Sequence, residues 1–164
     1  MKNIALIGFM GAGKSTVATL LAKELNADLI EIDTEVLRLS GHTNINAIFD
    51  TEGEDYFRKL EQEAIRESLQ KNNCVISCGG GVVTSIENSE MLKRSTLTVF
   101  LHTSFEIIKQ RLKNTNTRPL FSQGEKAILL YAQRLPLYRQ CANVVIETDD
   151  KTPEDIVKSI LEKI

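Results

Sequence analysis

Gly8-Phe9-Met10-Gly11-Ala12-Gly13-Lys14-Ser15 fits the pattern G-x-x-x-x-G-K-[ST], a loop that grips phosphate. Its glycines let the backbone curl until successive N–H groups point inward at phosphate oxygens. The helix that follows adds the positive end of its dipole. In this pattern the lysine, here Lys14, sets a point charge on the outer phosphates, and the hydroxyl, here Ser15, can ligate Mg²⁺. At average residue usage a chance match in a chain of 164 residues arises roughly once in a few hundred sequences. The flanks agree with use. Asn3-Ile4-Ala5-Leu6-Ile7 is a short apolar run of the kind buried on both faces of a sheet. After the loop, Val17, Leu20, Leu21 and Leu25 recur at helical spacing.

Outward from that loop the chain alternates. Segments 3–8, 28–32, 74–78, 97–101 and 143–147 read as strands, and helices fill most of the intervals. The order is strand, helix, strand, helices, strand, helix, strand, helix, loop, helix, strand, helix. Such alternation implies an α/β fold, a three-layer α/β/α arrangement around a five-stranded parallel sheet. Ligands then sit beyond the carboxyl ends of the strands. The length predicts one domain, 1–164, with no internal repeat, low-complexity tract or interdomain linker.

Composition excludes some classes of function. The hydrophobic fraction of 42% and charged fraction of 26% are ordinary for a soluble globular chain. A net charge of −2 gives no global field to recruit nucleic acid, and the absence of Trp removes the best stacking platform for single strands. A small molecule gripped by local charges is the expected substrate. Cys74, Cys78 and Cys141 are odd in number and lack paired spacing, which argues against a disulfide framework and for small core residues. His42 and His102 are isolated in sequence, too sparse for a metal cluster, and read as surface or packing residues. The first residues lead straight into a strand, leaving no room for a signal peptide, and no run approaches membrane-spanning length. A cytoplasmic location is expected.

Several residues beyond the loop carry chemistry. The second strand ends Leu29-Ile30-Glu31-Ile32-Asp33, and alternation puts Glu31 and Asp33 on one side, available to magnesium waters or a substrate hydroxyl. Asp33 could equally cap the helix that begins after it. Arg58 lies in a helix over Glu54–Gln70 whose apolar face is Phe57, Leu60, Ala64 and Leu69; taken alone it reads as a solvated arginine. Gly79-Gly80-Gly81 follows a strand and either makes a tight turn or offers bare N–H groups to a substrate. The polar segment from Asn114 to Gly124 has the length of a lid or binding loop. Within it, Arg118 is either an ordinary exposed charge or an arginine that swings onto transferring phosphates. Arg134 falls in the apolar stripe Ala127, Leu130, Tyr131, Tyr138, Cys141 and needs an anion there, from the protein or from a substrate carboxylate. Pro136 weakens or bends that helix near the arginine.

Taken together, Gly8–Ser15, Asp33, Gly53-Glu54 with Phe57-Arg58 and Glu61, Gly79-Gly80-Gly81, Arg118-Pro119-Leu120, and Arg134 with Pro136-Leu137-Tyr138 resemble the shikimate kinases from end to end. These form part of the nucleoside-monophosphate-kinase-like branch of P-loop proteins. The resemblance implies a P-loop kinase fold with a substrate-binding region at about 33–61 and a mobile lid at about 112–124. It implies transfer of the ATP γ-phosphoryl to the 3-hydroxyl of shikimate, with Mg²⁺, by a monomer that binds neither nucleic acid nor membrane. By the same resemblance Lys14, Asp33 and Arg118 are catalytic, and Gly11, Ala12, Gly13, Lys14, Ser15, Thr16, Arg111, Arg118 and Pro153 bind ATP. Asp33, Arg58, Gly79, Gly80, Gly81 and Arg134 bind shikimate, the two arginines gripping its carboxylate. Ser15 holds the metal, with Glu31 acting through water. One position departs: the family commonly has Asp-x-Asp where this chain has Glu31-Ile32-Asp33. Rival readings are a kinase of another polyol acid such as gluconate, a nucleotide kinase, and a nucleotide-sensing module without turnover.

Overall fold

The computed structural model describes residues 2–113 and 124–164. Strand β1 (Ile4–Ile7) leads through the phosphate loop into α1 (Lys14–Leu25), and β2 (Asp28–Glu31) follows. Three helices come next: α2 (Ile32–Ser40), α3 (Ile45–Glu52) and α4 (Glu54–Leu69). Strand β3 (Cys74–Ser77) runs through the three glycines into a 3₁₀ turn at Val82–Thr84, then α5 (Ile86–Ser95) and β4 (Leu97–His102). The chain continues through α6 (Phe105–Leu112), α7 (Gly124–Cys141), β5 (Val144–Glu147) and α8 (Pro153–Leu161). The expected strands match these within a residue or two at each end. The 3₁₀ turn is an addition.

All strand pairs are parallel, in the order β2-β3-β1-β4-β5. Side-chain alternation divides the core into two. Ile4 and Leu6 of β1 join Val17 and Leu21 of α1 and Ile156 and Ile160 of α8 on one face. Ala5 and Ile7 join Val36, Ile48, Phe57, Ile65, Leu92 and Tyr138 from α2 to α5 and α7 on the other. A strand period of two thus makes the three layers, as a parallel sheet buried on both faces requires.

The register brings the functional ends level. Leu6 pairs with Ser77 and Glu31 with Ser77, so the loop after β1, the glycines after β3 and the end of β2 open at one height. The Cys78 N–H donates to Leu6 O at 3.1 Å, carrying the β1–β3 ladder one residue further. Cys74, Cys78 and Cys141 are free thiols, all buried, and burial pushes the Cys78 thiol far up from its ordinary range. They pack as small core residues. His102 Nδ1 sits 2.7 Å from Glu147 Oε2 across β4 and β5, and His42 lies 3.8 Å from Glu52, so both histidines make ordinary structural contacts.

Candidate active site

Gly13 is the residue before α1, with φ 88°, and no side chain caps that helix. A left-handed residue is needed there to turn the loop onto the helix, and glycine adopts it without strain. With no side-chain cap over it, this helix N-terminus favours an anion through its dipole. The Lys14 ammonium folds back over the loop, donating to Gly8 O at 2.7 Å and Phe9 O at 2.9 Å. From α6, Arg111 Nη1 donates to Gly11 O at 3.0 Å and so lies against the same loop. A cleft of about 210 Å³ runs from Lys14, Ser15 and Thr16 past Gly79 and Gly80 to Glu31 and Asp33.

The carboxylates reach that cleft by a route the sequence reading had wrong. Strand β2 stops at Glu31 and Ile32 already begins α2, so Asp33 is in the first helical turn, neither a strand end nor a cap. The reason is packing: Ile32 and Val36 are both fully buried, one helical turn apart. Glu31 takes the capping position without a side-chain bond to the helix. Its Oε2 instead accepts from Ser15 Oγ at 3.3 Å. Hydroxyl and carboxylate oxygens are hard donors, and the pair suits a small divalent cation that keeps waters and phosphate oxygens in its other positions. Among the described residues no group of three or more His, Cys, Asp or Glu gathers elsewhere for a metal.

Asp33 turns toward the glycines. A Cβ on Gly79 would stand 3.1 Å from Asp33 Oδ1 and 3.1 Å from Glu61 Oε2, so both carboxyl groups converge on this bare residue. Glu61 is the residue the sequence reading left without a role. It is fully buried on α4, within the stripe Phe57, Glu61, Ala64, Ile65, Ser68. An acid in an apolar stripe was the available signal, of the same kind that singled out Arg134. Glu61 Oε1 accepts from Arg58 Nη1 at 2.9 Å, and Oε2 has no partner among the described residues. Burial holds the Glu61 carboxyl above the usual range, against the opposing pull of Arg58 and with the nearby Asp33 charge adding to the rise.

Arg58 is therefore held rather than solvated. Besides Glu61 it has Glu54 Oε1 at 3.5 Å, and its guanidinium lies directly over Gly81. Arg134 is buried at 8% exposure on α7, and its Nη1 is 3.7 Å from where a Gly80 Cβ would be. The Nε atoms of both arginines are buried without a partner among the described residues. Two guanidinium groups thus flank one glycine turn with hydrogen-bonding capacity to spare. In the turn itself the N–H groups of Gly79, Gly80 and Gly81 bond to none of the described residues, while all three carbonyls are occupied. Such an array of free donors between two cations suits a planar anion.

Not every expected residue joins the cleft. Pro153 is the first residue of α8, behind the Thr152–Asp155 capping box, and does not line it; Gly81, Arg58, Arg134 and Arg111 also lie outside the lining, beside the glycine turn or the phosphate loop. Ala12 is buried beneath the loop. Arg118, and all of the expected lid from 114 to 123, lie outside the described residues.

The comparisons with known proteins agree with each other. A family model described as shikimate kinase matches residues 10–164. A shikimate kinase of a Sulfurihydrogenibium species is 42% identical, over 100% of this chain and 98% of its own. The structure of the Acinetobacter baumannii shikimate kinase in complex with shikimate superposes with a TM-score of 0.93 at 37% identity, covering 99% of this chain and 92% of that one. The Aquifex aeolicus shikimate kinase gives a TM-score of 0.87 at 38% identity, over 98% and 94% of the two chains.

Proposed function

The chain belongs to the shikimate kinase family, which makes it a small-molecule kinase that phosphorylates shikimate with ATP in aromatic biosynthesis, and we propose the following roles for its residues. The observation that carries the assignment is the cleft itself. The Lys14 loop stands at one end of it and Asp33 with Gly79 and Gly80 at the other, and the two arginines flank the glycine turn from outside its lining.

ATP phosphates lie on the amides of Gly11 and of Gly13 to Thr16, the Ala12 N–H being taken by Phe9 O at 3.1 Å. Lys14 then exchanges the Gly8 and Phe9 carbonyls for phosphate oxygens, which brings its charge onto them from a position already against the loop. Arg111 and Pro153 flank the adenine, and Arg118 closes over the phosphates as part of a lid at about 112–124. The region at about 33–61 holds the acceptor. Arg58 and Arg134 take the shikimate carboxylate as two forks, with the N–H groups of Gly79, Gly80 and Gly81 completing the grip. Asp33 accepts a hydrogen bond from the 3-hydroxyl, holds it in line with the γ-phosphorus and receives its proton. Phosphoryl transfer has a loose transition state, so alignment and charge neutralisation supply most of the acceleration.

Ser15 Oγ would hold Mg²⁺, with Glu31 acting through a water, and the ion would neutralise phosphate charge. The longer Glu31 side chain keeps the charge of the family's usual aspartate and reaches the hydroxyl. The reading places a monomer of one domain in the cytoplasm; no helix among the described residues is long and apolar enough to cross a membrane.

The deciding experiment is a coupled assay of ADP release with shikimate, gluconate and nucleoside monophosphates as acceptors. Shikimate-dependent release is expected, with gluconate and nucleotides at background. Comparable turnover of gluconate would overturn the carboxylate-and-hydroxyl geometry proposed here.

A further inference from the structure

Tyr138 lies outside the roles assigned above, yet it touches the turn they depend on. It is 1% exposed, on the same stripe of α7 as Arg134 and one helical turn further on. Its ring stacks on Phe100 of β4, with centroids 5.1 Å apart and planes 26° from parallel. Its hydroxyl donates to Gly80 O at 2.6 Å, across 58 residues of sequence. Burial pushes the phenol up from its ordinary range, against the opposing charge of Arg134.

A trans peptide fixes its N–H opposite its C=O. The Gly80 carbonyl and the Gly81 N–H belong to one peptide, so whatever holds the first aims the second. The neighbouring peptides are set by local contacts. Gly79 O accepts from Val82 N at 3.2 Å, and Gly81 O accepts from Thr84 N at 3.1 Å and Thr84 Oγ1 at 2.7 Å. The Gly80–Gly81 peptide has no such local tether: of the described residues, Tyr138 alone bonds its carbonyl, and none bonds its N–H. Lying between two glycines and without a local tether, this peptide depends on Tyr138 for its orientation.

We propose that Tyr138 is a positioning residue: its hydroxyl pins the Gly80 carbonyl and thereby aims the Gly81 N–H at the carboxylate held by Arg58 and Arg134. The bond from the phenol to the Gly80 carbonyl is made in a buried setting, where a hydrogen bond is electrostatically stronger than in water. The inference rests on the carboxylate grip proposed above.

The test is Tyr138→Phe, which keeps the ring stack and deletes one hydroxyl, assayed with shikimate and with its carboxamide. The loss of one aimed hydrogen bond predicts a shikimate KM raised by about 3- to 10-fold, with kcat and the ATP KM within about twofold. With the carboxamide the variant and wild type should match within about twofold, since a neutral amide gains little from the aimed donor. An equal loss on both substrates, or an unchanged shikimate KM, overturns the proposal while the grip itself stands. Wild-type enzyme that fails to prefer shikimate to the carboxamide overturns the grip and the proposal together. Should Tyr138→Phe not fold, the wild-type Gly81 amide is followed by ¹⁵N–¹H spectroscopy. Its resonance must shift and its hydrogen exchange must slow when shikimate is added and not when the carboxamide is; an unmoved Gly81 amide overturns the proposal.

Discussion

Gly81→Ala separates what Arg58 does for binding from what the backbone does for folding. The Gly81 backbone sits at φ −97° and ψ 7°, which alanine can adopt. The obstacle is a side chain. The new Cβ would come within 2.6 Å of Arg58 Nη1 and 2.7 Å of its Cζ, and closer still to Nη2. Ordinary contact begins at about 3.5 Å, so the guanidinium must recede by roughly 1 Å. It cannot do so and keep the bond to Glu61 Oε1 at 2.9 Å in its present direction. One charge-assisted hydrogen bond to the carboxylate is then lost, worth about 1.5–3 kcal/mol, or about 10- to 150-fold in affinity. Steady-state kinetics of the variant should show a shikimate KM raised by about that factor, with kcat and the ATP KM within about threefold. Gly41→Ala is the control. Gly41 has φ 73° and nothing within 4 Å of a Cβ, so alanine there brings strain alone. That strain, about 1 kcal/mol, lowers the Tm by about 2–4 °C and leaves the shikimate KM untouched. A Gly81→Ala enzyme with a normal shikimate KM would refute the position assigned to Arg58.

Two further outcomes follow from the same geometry. Arg134→Lys replaces a fork by a point charge, so the shikimate KM should rise about 10-fold or more while ATP binding is unchanged; titration of each ligand separately checks this. Glu61 has its folded pKa raised by burial, so the native state binds its proton more tightly than the unfolded chain does. That contribution is present below the unfolded value of about 4.3 and is lost as pH rises through the higher folded value. Denaturant midpoints should therefore fall with rising pH above about 4.3 more steeply in wild type than in Glu61→Gln; parallel curves would contradict the raised carboxyl.

The parts of this fold set by short-range pattern were legible in the sequence. The phosphate loop, the strand positions and the apolar stripe that exposed Arg134 all depend on residues within a few turns of each other. Asp33 belongs to the cleft but to a different element than strand alternation assigns, because Glu31 closes the strand in an extended conformation while Asp33 already lies in the first turn of α2. Only the burial of Ile32 together with Val36 decides between them. Arg58 reads as solvated although Glu54 and Glu61 stand one turn to either side of it, because the burial of Glu61 and the bare Gly81 surface 23 positions along the chain come only with tertiary packing. The Tyr138–Gly80 bond spans 58 residues and has no sequence period to announce it.

The central claim is that Asp33 faces the acceptor alcohol across the cleft from Lys14. Single-turnover phosphorylation of shikimate by Asp33→Asn, at saturating ATP, measures it most directly. The account predicts a rate at least ~100-fold below wild type with shikimate affinity changed only a few-fold, since the carboxylate acts on the reacting proton while the arginines hold the anion. A variant that transfers phosphate at close to the wild-type rate would contradict it.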